Sequence, residues 1–309
     1  MPARAASIVR AVILCLGETL VDLICEKRVS SFSEVDSFRP YFGGALANVA
    51  VAARRAGSAA GLASGVGDDE WGTWVRDRLE REGVDLQHFH LLAGESTPLA
   101  LATFDMDGEP TFRIYGDSVS AAVESVSARL DAAVDGAAAL VYGSTTLATP
   151  GERRVTLKAR ELGLERETRV CFDPNFRPNR WGGDLGRAVA ASRELIEGSY
   201  LVRANRSEAM LLSDCDDPRQ AAQRIADVGA TLAVVTLGEE GAVIRGACQA
   251  EARAPEVEVV STLGAGDAFL GTLLGELSER DWDAARAGEA LEPALAAAAE
   301  ACTRWSALD

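Results

Sequence analysis

Val257-Glu258-Val259-Val260-Ser261-Thr262-Leu263-Gly264-Ala265-Gly266-Asp267-Ala268-Phe269 sets a Gly-Ala-Gly turn between a strand-like run, Val257 to Val260, and a helix-like run, Ala268 to Leu277. Two of the three turn residues lack a Cβ, so their backbone N–H groups can converge on an anion. The macrodipole of the following helix adds to that attraction. Asp267 comes next. A carboxylate at the mouth of an anion site is repelled by what the site binds, so its presence points to a task. It could accept a proton from a hydroxyl while Gly264, Ala265 and Gly266 hold a migrating phosphoryl group. Asp also caps helix starts, and the turn alone does not decide between the two readings.

Working outward, short apolar runs alternate with amphipathic helical runs. Val12 to Leu16, Gly61 to Val66, Ala138 to Tyr142, Arg169 to Phe172, Leu201-Val202 and Leu232 to Leu237 read as strands. Ala45 to Ala56, Asp69 to Glu82, Glu152 to Leu162, Pro218 to Val228 and Glu289 to Trp305 read as helices, the first two closed by Gly57 and Gly83. The alternation predicts an α/β fold, a three-layer α/β/α sandwich around a mostly parallel central sheet. Two segments break the pattern. Val21 to Phe42 has strand-like pieces without helical period. Pro98 to Tyr115 alternates Leu99, Leu101 and Thr103, turns at Asp107-Gly108 and resumes with Phe112 and Ile114, a hairpin signal. These pieces are expected to form a small antiparallel β-sheet lid, about residues 20–42 and 97–117, on a single domain spanning 1–309.

Five further segments suit ligand binding. Gly17-Glu18-Thr19-Leu20-Val21-Asp22 and Phe42-Gly43-Gly44-Ala45-Leu46-Ala47-Asn48 lie near the N-terminus. Gly43-Gly44 precedes a helix and leaves N–H groups open to a ligand's oxygens. Asp22 and Asn48 can each bridge neighbouring sugar hydroxyls, although Asp22 could equally cap a turn and Asn48 be a satisfied helix residue. Asp173-Pro174-Asn175-Phe176-Arg177-Pro178-Asn179-Arg180-Trp181 and Asn205-Arg206-Ser207-Glu208 each follow a predicted strand, where loops of α/β sheets hold ligands. Thr236-Leu237-Gly238-Glu239-Glu240-Gly241 joins two strands as a glycine-bearing turn. Neither the Gly-x4-Gly-Lys-Ser/Thr loop nor the Gly-x-Gly-x-x-Gly turn is present, so neither common nucleotide cradle is expected.

Taken in order, these motifs resemble the ribokinase family of sugar kinases, also called the PfkB carbohydrate kinases, from Leu14 to Trp305. Gly264-Ala265-Gly266-Asp267 with Ala268-Phe269 looks like the family's C-terminal signature. The two glycine-bearing N-terminal segments look like its N-terminal one. The Asp173 to Trp181 run is similar to that of fructokinase-like and ketodeoxygluconate-kinase-like members. The resemblance implies a ribokinase-like fold. It makes Asp267 the catalytic base, with Gly264, Ala265 and Gly266 around the transferred phosphoryl. It gives Asp22, Gly43, Gly44 and Asn48 to the sugar and Arg177 to a phosphate or polar sugar group. Thr236, Gly238, Gly241 and Asn205 go to ATP, and Glu208 to Mg²⁺, largely through water. The implied activity is ATP-dependent phosphorylation of a hydroxyl, expected to be primary, on a small sugar, as in fructokinases. A nucleoside kinase of the same family and a catalytically weak sugar-binding or regulatory protein are the alternatives, and Asp267 speaks against the second. A homodimer through the lid is left open.

Three departures from the family pattern matter. Ser261 stands where many members carry an Asp that helps hold a monovalent cation, so strong K⁺ activation is not expected. Ala204 precedes Asn205 where a Lys-Pro-like lead is frequent. Tyr115-Gly116-Asp117 lacks the Arg that commonly follows the lid aromatic in fructokinase-like and ketodeoxygluconate-kinase-like members, which weakens the case for an acidic sugar, whose carboxylate would want that cation.

With 48% apolar and 25% charged residues among 309, the composition is that of an ordinary globular chain. A formal net charge of −16 and a pI of about 4.7 repel nucleic acid and anionic membranes, so neither is an expected partner. Cys15, Cys25, Cys171, Cys215, Cys248 and Cys302 form no CxxC pair and read as small apolar residues of a reducing cytoplasm. His88 and His90 lack neighbouring ligands and read as surface residues. No apolar run reaches membrane-spanning length, and Met1 to Arg10 reads as a loose leader.

Overall fold

The computed structural model describes residues 12–308 except Asp107, Glu109 and Asp117; the expected leader therefore lies outside the described residues, as does the Asp of the hairpin turn. The strands in chain order are β1 (Val12–Leu16), β2 (Leu20–Arg28), β3 (Arg39–Gly43), β4 (Ala60–Gly67), β5 (Phe89–Leu92), β6 (Leu99–Phe104) and β7 (Pro110–Tyr115). They continue with β8 (Ala137–Gly143), β9 (Arg169–Asp173), β10 (Leu201–Asn205), β11 (Leu232–Thr236), β12 (Ala242–Gly246) and β13 (Ala250–Ala252). Nine of them form one sheet in the order β13-β12-β11-β10-β9-β8-β1-β4-β5. All pairs are parallel from β11 to β5, and only the β11–β12 and β12–β13 edge is antiparallel.

Burial on both faces explains the unbroken apolar runs, since side chains alternate between two cores. Ile13 and Cys15 of β1 point into a core shared with the helices Ala45–Arg55, Ala265–Glu279 and Leu291–Cys302. Leu14 and Leu16 point into the opposite core with Tyr142, Phe172 and the helix Pro150–Glu165. Within the first core, the helices Ala45–Arg55 and Ala265–Glu279 touch along Gly271 and Gly275. A Cβ on Gly271 would overlap the backbone oxygen of Val49, and one on Gly275 would come within 2.7 Å of Ala56 Cβ. This close crossing fixes Asn48 of one helix against Asp267 of the other.

The second sheet has the order β3-β2-β6-β7. Its β6–β7 hairpin turns through Gly108 at φ +87°, as the alternation suggested. The sheet is mixed rather than purely antiparallel, because β2 and β6 pair in parallel. Its inner face carries Ile24, Tyr41, Ala102 and Phe104, which pack on Leu263 and Trp305. Phe104 and Trp305 have ring centroids 5.2 Å apart.

Two boundaries differ from expectation. Val257 to Val260 is not a strand: Val257 and Val259 are 39% and 48% exposed, and neither sheet includes them. Alternating Val and Glu suit a strand only where a neighbour supplies hydrogen bonds. Here the N–H groups of Val260 and Ser261 instead reach the carbonyl of Cys302. The glycine turn therefore ends an irregular loop, not a strand. The helix begins at Ala265, three residues early, with Gly264 as its N-cap. The final helix, by contrast, starts late, at Leu291, after a 3₁₀ stretch Ala284–Ala290. His88 and His90 are half-buried rather than on the surface, because the helix Val119–Glu124 packs beside β5.

Candidate active site

A cleft of about 1290 Å³ opens at the carboxyl ends of β1, β10 and β11, beneath the small sheet. Its floor is the glycine turn. Gly264 is left-handed at φ +75°, and a Cβ there would overlap Ala307 and stand 2.5 Å from its Cα. Only glycine meets both demands. The backbone then delivers Ala265, Gly266 and Asp267 in the first helical turn, with their N–H groups free of intrahelical partners. The residues behind Gly264 are themselves tied down, since Arg55 Nη1 donates to the carbonyl of Leu308 at 2.6 Å.

Asp267 is 8% exposed and accepts a hydrogen bond from Asn48 Nδ2 at 2.9 Å on Oδ2. Burial pushes its carboxyl up to about 6, opposed by the Asn48 bond and by the charges of Arg177 and Arg203. Asp22 faces the same cleft from β2. Burial, with the charge of Asp267, raises it to about 7 against the pull of Arg177. Gly44 lines the cleft at φ +105°, whereas Gly43 does not. A Cβ on Gly43 would overlap Asp22 Oδ2, so this glycine makes room for the Asp22 carboxylate. Arg177 lines the cleft and donates to the carbonyl of Phe176 at 3.3 Å.

The other end of the cleft holds Asn205, Thr236, Gly238 and Gly241. Asn205 caps the helix Arg206–Ser213, and Gly238 and Gly241 sit at φ +67° and +100°, which shapes the turn between β11 and β12. Glu208 behaves differently from expectation. Its carboxylate accepts from the backbone of Phe176 at 3.0 Å and of Asn205 at 2.9 Å, and it does not line the cleft. It is first of all a capping-box carboxylate that joins two loops. Among the described residues no cluster of three His, Cys, Asp or Glu side chains is poised for a metal. Asp173, whose Oδ1 is buried and without a partner, stands close enough to Glu208 for each charge to feel the other. Neither carboxylate lines the cleft, so Glu208 would meet a Mg²⁺ that arrives on a nucleotide only through water, and not as part of a dedicated metal cage.

A match to the model of the pfkB family carbohydrate kinases runs from residue 10 to residue 308. The chain belongs to the pfkB family of carbohydrate kinases. A probable fructokinase-4 of Arabidopsis thaliana is 29% identical over 97% of this pfkB-family kinase and 93% of its own length. Aminoimidazole riboside kinase of Salmonella typhimurium is 30% identical, covering 95% and 89%. The structure of a Vibrio cholerae fructokinase with fructose, ADP and calcium superposes with a TM-score of 0.81 at 27% identity, over 97% of this chain and 95% of that one.

Two side chains of this kinase's cleft went unassigned in the sequence. Glu18, buried beside Asp22, accepts from Thr145 Oγ1 at 2.8 Å, and burial raises its carboxyl. Arg203 sits inside β10 and lines the cleft next to Gly266. Both carried one available signal: a charged residue directly after or within a strand otherwise buried, a placement that costs several kcal/mol unless it has a partner or a ligand.

Proposed function

We propose that this kinase transfers the γ-phosphoryl group of MgATP to a hydroxyl, expected to be primary, of a small neutral sugar of the fructose type. The observation that carries the reading is Asp267. It is a buried carboxylate, oriented by Asn48 and set one residue beyond a turn whose amides can hold an anion. Asp22 and Asn48 would fix the sugar. The hydroxyl oxygen attacks the γ-phosphorus, its proton passes to Asp267, and ADP departs. The amides of Gly264, Ala265 and Gly266 stabilise the negative charge in flight. When bound, Mg²⁺ would supply further charge neutralisation on the phosphates, and Glu208, set behind the cleft wall, would meet it only through water. The small sheet acts as a lid that excludes water. A sugar panel with ADP production as readout tests the reading, with a nucleoside arm for the riboside-kinase alternative; no turnover on any sugar would defeat it.

Three outcomes are expected. First, Asp22→Ala raises the sugar KM by roughly tenfold to a hundredfold, the scale of lost charged hydrogen bonds, and leaves the ATP KM within a few-fold. Initial-rate kinetics in both substrates check this, and equal losses would show that the two ligands are mapped wrongly.

Second, kcat/KM for the sugar falls as pH drops through the range of the Asp22–Asp267 pair, about 6 to 7, because the base must be ionised to take a proton. A rate profile that stays flat from about pH 5 to 8 would remove Asp267 from that role.

Third, neutral sugars outcompete 2-keto-3-deoxygluconate. Arg177 does enter the cleft, but its charge is shared among Glu18, Asp22, Asp173 and Asp267. Arg113 is exposed on β7 and does not line the cleft. A substrate carboxylate would therefore compete with four carboxylates for that cation. K⁺ stimulates less than tenfold, about 1.4 kcal/mol, since the fully buried Ser261 offers a neutral oxygen that already accepts from Leu263 N–H at 3.0 Å. Preference for the acidic sugar, or a larger K⁺ response, would contradict these expectations in turn.

No helix among the described residues is long and apolar enough to cross a membrane. Cys15 and Cys171 are free thiols in the sheet core whose acidity burial suppresses, which supports placement in a reducing cytoplasm.

A further inference from the structure

We propose that Arg203 is a catalytic residue, a guanidinium set against the glycine turn that grips the phosphoryl group as it moves from nucleotide to sugar. The inference rests on the kinase reading above.

Arg203 is the middle residue of β10 and is 7% exposed, between apolar neighbours Val202 and Ala204. A cation in such a strand needs compensation. Its one carboxylate partner, Asp173 Oδ2, lies 3.3 Å from Nη1, longer than a strong charged hydrogen bond. Nη2 donates to Thr236 Oγ1 at 2.9 Å, and Nε is buried without a partner. The guanidinium is thus incompletely satisfied inside the protein.

Its other neighbour adds to this. A Cβ on Gly266 would stand 2.7 Å from both Nη1 and Nη2 and 3.0 Å from Cζ, so the guanidinium points its fork at the first turn of the helix Ala265–Glu279. That end of a helix carries positive partial charge and ordinarily disfavours a cation. Two positive features, the turn amides and Arg203, adjoin at the cleft wall, and an anion that touches both reconciles the arrangement. Thr236 and Asn205 place that junction at the nucleotide end, and Asp267 places it at the sugar end. A planar fork of N–H donors matches two oxygens of a phosphoryl group, which an ammonium cannot copy. Gly266 is glycine because a side chain would displace the fork.

The rival role is a strut that ties β9 to β10 through Asp173. Calorimetric binding of ADP and of the non-hydrolysable analogue AMP-PNP, each with Mg²⁺, separates the two, together with kcat on the best sugar. In Arg203→Gln we expect ADP affinity within about threefold of wild type and at least a tenfold loss in the preference for AMP-PNP over ADP. A kcat loss of about 10² to 10³ is expected with it, the scale of one missing transition-state donor. Asp173→Asn, which removes the strut and leaves the fork, keeps the AMP-PNP preference. Arg203→Lys, the variant to read if Gln does not fold, loses at least about threefold in both the preference and kcat, because the charge remains but the fork does not. An unchanged preference in Arg203→Gln or in Arg203→Lys overturns the inference, as does the same loss in Asp173→Asn. Wild-type protein that binds neither nucleotide would overturn the kinase reading and this inference together; wild-type turnover with an unchanged preference in the variants overturns this inference alone.

Discussion

Asp267→Asn is expected to bind ATP and sugar nearly as well as wild type and to turn over at least ~10²-fold more slowly. The amide keeps the shape of the carboxylate and can still meet Asn48 through its oxygen, but it cannot take a proton from the sugar hydroxyl. Near wild-type kcat would refute the assignment. The same variant should also be more stable at neutral pH. The folded-state pKa of Asp267 is raised from 3.8 to about 6, so the folded state binds the proton more tightly than the unfolded chain does. Stability from this group is greatest below about pH 4 and is lost as pH rises through about 6. Above that, the buried charge costs on the order of 3 kcal/mol at most, which the Asn variant does not incur. Melting curves should show the gain at pH 7.5 and little of it near pH 4. A lower Tm at pH 7.5 would show that the carboxylate is not under the strain its burial implies.

Gly264→Ala is expected to be comparably severe in rate and to destabilise the fold as well. The left-handed φ of +75° costs a residue with a Cβ about 1–2 kcal/mol. The added carbon also meets Ala307, whose Cα would be 2.5 Å away, and overpacking of this kind costs a further 1–3 kcal/mol or so. The chain can escape only by moving the amides that should face the phosphoryl group, which removes about 10² or more from kcat. Ala307→Gly combined with Gly264→Ala relieves only the methyl–methyl part of the clash. The double variant should therefore recover some Tm and little kcat. A single variant with unchanged Tm and kcat would mean that the turn is more plastic than its packing shows.

Much of this was legible in the chain, for identifiable reasons. Val12–Leu16, and Leu232–Thr236 up to its last residue, are apolar at every position because parallel strands are buried on both faces. The helix Pro218–Val228 was readable to the residue, because Asp217 caps it, Pro218 opens it and Gly229 closes it. Val257 to Val260 misled, because strand propensity is realised only beside a partner edge, and whether an edge is present depends on residues far away. The same limit hid Arg203 and Gly43. What each contributes is set by a neighbour from another part of the chain: Gly266 across 63 residues for the former, Asp22 for the latter. Glu208 shows the converse, a motif residue whose visible contacts are those of a cap.

The packing of Ala307 on Gly264, of Trp305 on Phe104 and of the Leu308 carbonyl on Arg55 ties the glycine turn and the small sheet to one short segment. Fraying of residues 305–308 alone would take away the backing of the turn and the aromatic anchor of the small sheet together. Both sheets would keep their own strand pairings. Loss of turnover on mild heating should therefore run ahead of the loss of secondary structure.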